Sequence, residues 1–297
     1  MQEFDVSVIV PSVNSYSDLK DCLQALKAQQ DARVEIIVVD RLGFELVAAV
    51  KRDFSDIVVI PTAADATIPE MRAVGIRRAH APAVAVIEDH VMVRPFWARQ
   101  LLDALAEGHD VVGGTVENAA TEKLVDWAAF LCEYSAVLPP LPSGPSDWLP
   151  GNNVIYRREI LKKFDAVLDE GKWENRLHDA MHADGITLIM RPDIVADHKM
   201  HYTFGLYMEQ RYLYSRSYAG ARIKDAPMSR RLMMGAAAFA LPPLVFIRVV
   251  KNIVSKRKHL GYLIKSLPML VAFAGSWGAG EIVGYWFGGG NALSKVR

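Results

Sequence analysis

The chain has 297 residues, 51% of them hydrophobic, enough for one large domain or two ordinary ones around a sizeable core. Its 34 basic and 34 acidic side chains cancel overall but not along the chain: residues 1–228 carry 24 Lys and Arg against 33 Asp and Glu, whereas residues 229–297 carry 10 against 1. An acidic globular part (1–228) joined to a basic, apolar tail (229–297) reads as a domain with a membrane-surface anchor, and a tail of Leu, Phe, Ala, Gly and Trp without polar spacers argues against nucleic acid as its partner.

The run VSVIVPS (6–12) is continuously apolar and β-branched, as in a strand buried on both faces. Residues 17–29 place Leu19, Cys22, Leu23 and Leu26 at helical spacing, with Ser17 as N-cap. VEIIVVD (34–40) predicts a second strand ending in Asp40. A helix over 43–54, a strand at 56–61 (DIVVIP), a helix around 69–80 and a strand at 83–88 (AVAVIE) follow. Strands alternating with helices define an α/β protein with a mostly parallel sheet. Ligands of such sheets bind beyond the carboxyl ends of the strands, where Asp40 and the trio Glu88-Asp89-His90 fall. Neither GxGxxG after the first strand nor GxxxxGK[ST] occurs, which removes the dinucleotide fingerprint and the P-loop. Residues 138–150 are a proline-rich loop. Beyond them come GNNVIYRREIL before a strand, WENRLHDAMHADG as a helix ending at Gly185, and two short apolar strands, the second ending at His198.

In this order the segments resemble family 2 glycosyltransferases of the GT-A fold, of the membrane-associated bacterial type, over roughly 5–225. SVIVPSVN resembles the opening strand and nucleotide-binding turn, which turns Pro11 and Asn14 toward the donor. IIVVD matches the strand whose terminal acid, here Asp40, contacts the nucleotide. IPEMRAVGIRRAHAPAVAVIEDHV resembles the passage from an Arg-bearing helix, here Arg72, into the DxD-type metal motif. LPGNNVIYRREIL resembles the acceptor-side segment and WENRLHDAMHADG the helix with the catalytic acid. Three positions depart from the pattern: Arg41 replaces a second acid, Glu88-Asp89-His90 stands where Asp-x-Asp is usual, and Ala73 follows Arg72.

The resemblance implies a nucleotide-sugar donor whose diphosphate is neutralised by Mn²⁺ or Mg²⁺. Asp89 and His90 are the expected ligands, with Glu88 orienting or coordinating through water and His198 completing the set; the imidazole favours Mn²⁺. A capped strand end and a core histidine are the competing readings. Counting back from Gly185 places Glu174 as the general base of an inverting transfer, beside the apolar Trp173; a solvated first-turn glutamate is the alternative, and Asp179 the fallback. Asn152 and Asn153 could bond sugar hydroxyls, and Arg211, with Arg216, a diphosphate or lipid phosphate.

In the tail, Leu232–Ile247 and Ser266–Gly280 are sixteen and fifteen residues without charge. Each covers roughly 24 Å or less, short of a ~30 Å hydrocarbon core. Arg230 and Arg231 precede the first, and Arg248, Lys251, Lys256, Arg257, Lys258 and Lys265 separate the two. Two full spans would carry that linker outward against the positive-inside rule, so both segments are expected to enter and leave on the cytoplasmic face. Cys22 and Cys132 read as reduced thiols, and MQEFDVSVIVPS has no basic n-region, so a cytoplasmic catalytic part at the cytoplasmic membrane is expected. Together these features predict a metal-dependent inverting hexosyltransferase acting on a membrane lipid or lipid-linked acceptor, a glycolipid of the cell envelope. A catalytically inactive nucleotide-sugar-binding or scaffold protein of the same fold is the alternative. The sequence leaves the oligomeric state open.

Overall fold

A computed structural model describes residues 4–297. They form two compact units, one ending at Ala119 and resuming over Val137–Met200, the other made of Ala120–Ala136 and His201–Arg297. The tail 229–297 thus shares a unit with 120–136 and 201–228.

The first unit runs β1 (Val6–Ser12), α1 (Tyr16–Lys27), β2 (Val34–Asp40), α2 (Phe44–Asp53), β3 (Val58–Pro61), α3 (Ile68–Arg78), β4 (Ala83–Val86), β5 (Val91–Val93), α4 (Trp97–Ala106) and β6 (Val111–Asn118). The chain leaves for α5 (Leu124–Tyr134) of the second unit. It returns with β7 (Gly144–Ser146), β8 (Val154–Arg157), α6 (Arg158–Lys163), α7 (Asp165–Leu168), α8 (Glu174–Ala183) and β9 (Leu188–His198). One mixed, mostly parallel sheet results, in the order β3-β2-β1-β4-β8-β6-β9-β5, with β7 also on β9. β1 is buried along its whole length, as its unbroken apolar run requires, and Leu19, Cys22, Leu23 and Leu26 of α1 join Trp97 and Leu101 of α4 in one core. The N-cap of α1 is Ser15, not Ser17: Ser15 has the extended backbone a cap needs, and its side chain accepts from the Asp18 N–H. At α3, Thr67 and Glu70 form a reciprocal capping box with Pro69 in the first turn, which fixes the helix that carries Arg72.

The two short strands expected on either side of Pro192 are a single eleven-residue strand, β9. Its register against β6 jumps from Gly114↔Arg191 to Thr115↔Val195, so Pro192 sits in a bulge where no ladder N–H is needed. The Thr115 hydroxyl and the Asn153 amide donate to the carbonyls of Pro192 and Ile194 that the bulge frees.

The second unit gathers α5, α9 (Phe204–Arg222), α10 (Met228–Ala237), α11 (Leu241–Lys256) and α12 (Leu260–Phe287). Glycines let α12 lie close along α9: a Cβ on Gly280 would stand 2.4 Å from the Tyr212 carbonyl, and one on Gly284 2.6 Å from that of Arg216. Through a 3₁₀ turn, α10 and α11 form one helical stretch, Met228–Lys256, with Pro242 and Pro243 in the first turn of α11, where their missing N–H groups cost little. By length and composition this 29-residue stretch and the 28 residues of α12 could each cross a membrane. The helices outrun the charge-free segments, so the length argument against spanning does not hold. Arg257 and His259 take left-handed conformations in the turn between them, and the Lys256 ammonium donates to the carbonyls of Ser135 and Ala136 at 2.7 and 2.8 Å, tying that turn to α5.

Candidate active site

Parallel pairing sets Ser12 opposite Asp40 at the carboxyl ends of β1 and β2. Asp40 is fully buried, and its carboxylate accepts the N–H groups of Leu42 and Gly43 at 3.2 and 2.9 Å, shaping the turn after β2. Pro11 lies within buried β1 opposite Val39. The Ser12 hydroxyl, buried beside Asp40, has no partner among the described residues, and a buried hydroxyl without one marks a place for a ligand or water. Arg41, in place of the second acid, donates to the Ala66 carbonyl at 2.9 Å.

Past β4 the chain turns through Glu88-Asp89-His90, and the antiparallel pairing of β5 with β9, Val91 opposite His198, brings a histidine 108 residues distant against the first. Glu88, His90 and His198 then offer ligand atoms all within 4.8 Å of one another, with the two Nε2 atoms 2.9 Å apart. Asp89 does not join them. One of its oxygens accepts the N–H groups of Val13 and Asn14 at 2.8 and 2.9 Å; the other accepts Asn14 Nδ2 at 2.8 Å and His90 Nδ1 at 2.9 Å. The amide nitrogen of Asn14 thus turns to Asp89 and stands 3.2 Å from His90 Nδ1. Burial opposes a charge on His90, but the hydrogen bond to Asp89 and the charges of Glu88 and Asp89 outweigh it and raise its pKa above 6.5. Burial and the His90 charge hold His198 well below 6.5. At 2.9 Å the facing Nε2 atoms stand at hydrogen-bond distance, and a cation between the rings would take that place. With one carboxylate, two imidazoles and a carboxylate behind His90, the donor set fits a divalent transition metal better than Mg²⁺, which prefers oxygen.

Glu88 links this cluster to a second one. Asn152 Nδ2 donates to Glu88 Oε2 at 3.0 Å, and Arg72 Nη2 stands 3.6 Å from Glu88 Oε1. The other arm of Arg72 donates to Glu174 Oε2 at 2.8 Å. Glu174 opens α8 with its side chain only 15% exposed, so it is not the solvated first-turn acid of the alternative; Asp179 is exposed and apart. The Trp173 ring meets the Arg72 guanidinium, 5.9 Å from its centroid. Gly151 makes the pairing possible: a Cβ there would lie 2.5 Å from Glu174 Cδ and 2.8 Å from Arg72 Nη1. Behind them Tyr156 and His178 share a 2.8 Å hydrogen bond, and burial lowers His178 to about 4. Arg72, Gly151, Tyr156 and Glu174 line a cleft of about 490 Å³, open mouth included.

Asn153 is turned away from this edge. Its oxygen accepts from Trp97 Nε1 at 2.8 Å, and its nitrogen donates to the carbonyls of Thr115 and Ile194 at 2.8 and 3.0 Å, so it braces the sheet and has no capacity for a sugar hydroxyl. In the second unit Arg211 is buried against Trp277. His201 there pairs with Asp126, which also accepts from the Tyr202 N–H.

Ser12 and Gly151 were missed in the sequence. Ser12 ends the same strand as Pro11, and Gly151 opens the Gly-Asn-Asn turn; each signal was present, but the partner lay far along the chain.

The sequence matches the family described as Glycosyl transferase family 2 over residues 7–164, more than half of its length. The chain belongs to this family. Among solved structures, the mannosyltransferase PcManGT from Pyrobaculum calidifontis, in complex with GDP-Man and Mn²⁺, superposes with a TM-score of 0.54 at 15% identity, covering 93% of this chain and 87% of that one. S. aureus TarS 1-349 gives 0.50 at 16% identity, covering 94% and 90%. Such identities speak for a shared fold. No curated protein matches the chain.

Proposed function

We propose that the protein is an inverting, metal-dependent glycosyltransferase that moves a sugar from a nucleotide-sugar donor to a lipid or lipid-linked acceptor at the cytoplasmic face of the membrane. The observation that carries the reading is a connected set of groups along one sheet edge: the His90–His198–Glu88 cluster, then Arg72, then Glu174. A divalent ion held by Glu88, His90 and His198, with Asp89 behind His90, would neutralise the departing diphosphate. The mannosyltransferase noted above, solved with GDP-Man and Mn²⁺, supports a donor and ion of this kind. Pro11, Ser12, Asn14 and Asp40 frame the nucleotide side, and Asn152 faces the same edge through Glu88.

Glu174 takes the proton of the acceptor hydroxyl as its oxygen bonds to the anomeric carbon and the bond to the diphosphate breaks, inverting that carbon. Arg72 holds the Glu174 carboxylate in place and, being a permanent cation beside Glu88, also favours the developing charge of the leaving group. The alternating basic segments support the membrane placement: Arg230 and Arg231 before the hairpin and Lys256 to Lys258 at its turn fit helices that enter and leave on one face. The anchoring of Lys256 to Ser135 and Ala136 supports the same placement.

Titration of the purified protein with UDP and with GDP, with and without Mn²⁺, tests the reading. One nucleotide should bind only with the ion, and Glu174→Gln should keep that binding while losing about 10²-fold or more of turnover. A folded protein that binds neither nucleotide would leave the scaffold reading in its place.

A further inference from the structure

The second unit holds a group of side chains that the transferase reading does not use. Glu122 precedes α5, Asp126 stands in its first turn, and His201 lies 75 residues beyond Asp126, in the stretch that leads into α9. Each offers a ligand atom, and these atoms lie within 4.8 Å of one another. The dipole of α5 favours acids at its start, but it gives no reason for an imidazole to join them. The fold delivers the imidazole by separate means. The Tyr202 N–H donates to Asp126 Oδ1 at 2.7 Å, the Thr203 side chain caps α9, and the Tyr207 hydroxyl donates to the Ala129 carbonyl at 3.0 Å. These bonds seat the approach to α9 against α5 and set His201 beside the two acids.

Asp126 is the fixed member. Its side chain is wholly buried, with Oδ1 taking the Tyr202 N–H and Oδ2 facing His201 Nδ1 at 3.0 Å. A carboxylate has about four lone-pair sites, so both oxygens keep capacity for a ligand. Two donors about 2.1 Å from a metal ion and at right angles stand roughly 3.0 Å apart, which matches the Asp126–His201 spacing. His201 is 41% exposed and Glu122 is exposed too, so the glutamate can adjust to an ion and water can fill the remaining positions. Carboxylates this close repel each other, and a dication between them turns that repulsion into attraction. One imidazole with two carboxylates suits Mn²⁺ or Zn²⁺ better than Mg²⁺ or Ca²⁺, which take oxygen alone.

We propose that Glu122, Asp126 and His201 bind a divalent transition-metal ion, additional to the one at Glu88, His90 and His198, which ties the start of α5 to the approach to α9. All three residues belong to the second unit. The proposal goes beyond the transferase reading and does not depend on it.

The test counts Mn²⁺ ions on the full chain by electron paramagnetic resonance titration, with Glu122→Gln and His201→Gln, both at exposed positions, beside the wild type. Each variant should bind one ion fewer, its affinity for that ion down by at least the roughly 10- to 100-fold that loss of an outer partner costs. Saturating Mn²⁺ should raise the melting midpoint of the wild type more than that of either variant, since an ion held only by the fold stabilises it. Mn²⁺-dependent nucleotide binding should be the same in all three. An ion count unchanged in both variants would overturn the proposal. So would nucleotide binding lost together with the ion, which would place these residues in the donor site. If the Glu88 cluster holds no ion, the wild type binds one and the variants none, so a failure of the transferase reading shows in the total and not in the difference.

Discussion

Replacing Gly151 by alanine separates the placement of the proposed base from the stability of the fold. Gly151 has an ordinary backbone conformation, so alanine brings no torsional penalty; it brings one carbon, 2.5 Å from Glu174 Cδ, 2.7 Å from Glu174 Oε2 and 2.8 Å from Arg72 Nη1. Ordinary contacts need 3.4 Å or more, so the carboxylate and the guanidinium must each retreat by roughly 1 Å. Both are ends of flexible side chains and can move, which keeps the stability loss within about 2 kcal/mol, chiefly the weakened Arg72–Glu174 bond. A base displaced by ~1 Å costs about 10²-fold in rate, or about 2.7 kcal/mol of barrier. Steady-state kinetics with donor and membrane acceptor, beside urea melts and nucleotide titration, should show kcat down about a hundredfold with Mn²⁺-dependent nucleotide binding unchanged. Gly205→Ala, where a Cβ meets nothing within 4 Å, should leave all three alone. Turnover by Gly151→Ala within threefold of wild type would refute the assignment of Glu174 as a base held in place by Arg72 and Gly151.

Two further outcomes follow from the same geometry. Asp89→Asn leaves a single oxygen to accept what two now accept from Val13, Asn14 and His90, so Mn²⁺ affinity should fall about 10- to 100-fold by direct titration; an unchanged affinity would remove Asp89 from behind the cluster. His178 is held neutral in the fold, with a pKa near 4 against an ordinary 6.5. Its contribution is therefore complete above pH 6.5 and is lost as pH falls toward 4, since the unfolded chain then takes up a proton that the fold refuses; the loss amounts to about 3 kcal/mol. Urea melts across that window should steepen in the wild type and flatten in His178→Gln, and parallel slopes would contradict the assignment.

The first seven elements, β1 to β4 with the helices between them, were legible because their sequences are locally consistent: β1 and β2 are unbroken β-branched runs, and α3 begins with its own capping box. β9 was read as two strands because Pro192 ordinarily ends one; the bulge opposite Gly114 and Thr115 that admits it depends on a neighbouring strand. The same limit applied to the site. Glu88, His90, Arg72 and Glu174 could be named from local pattern and family order. Which carboxylate faces the two histidines could not, because Asp89 is claimed by the N–H groups of Val13 and Asn14, 76 and 75 residues upstream. Asn153, which looked like a twin of Asn152, faces the other way, since adjacent residues entering a strand alternate sides.

Because α5 is inserted between Ala119 and Val137 while its packing partners come from the end of the chain, the tail is not an appendage that can be trimmed. Trp127 stacks on Tyr262 at 4.0 Å, and Tyr207 and Phe204 close on Phe273. A protein shortened at residue 228 would keep α5 and α9 and lose the wall that covers them, leaving aromatic faces in water. Its inactivity would report a broken helical unit, not a need for membrane, and point substitutions on the hairpin's outer face, at Ile247 or Ile264, are the cleaner way to test whether the protein holds to lipid. In synthesis, too, α5 must wait for most of the remaining chain to emerge before its partners exist, which makes this stretch the natural ward of a chaperone or of the membrane itself.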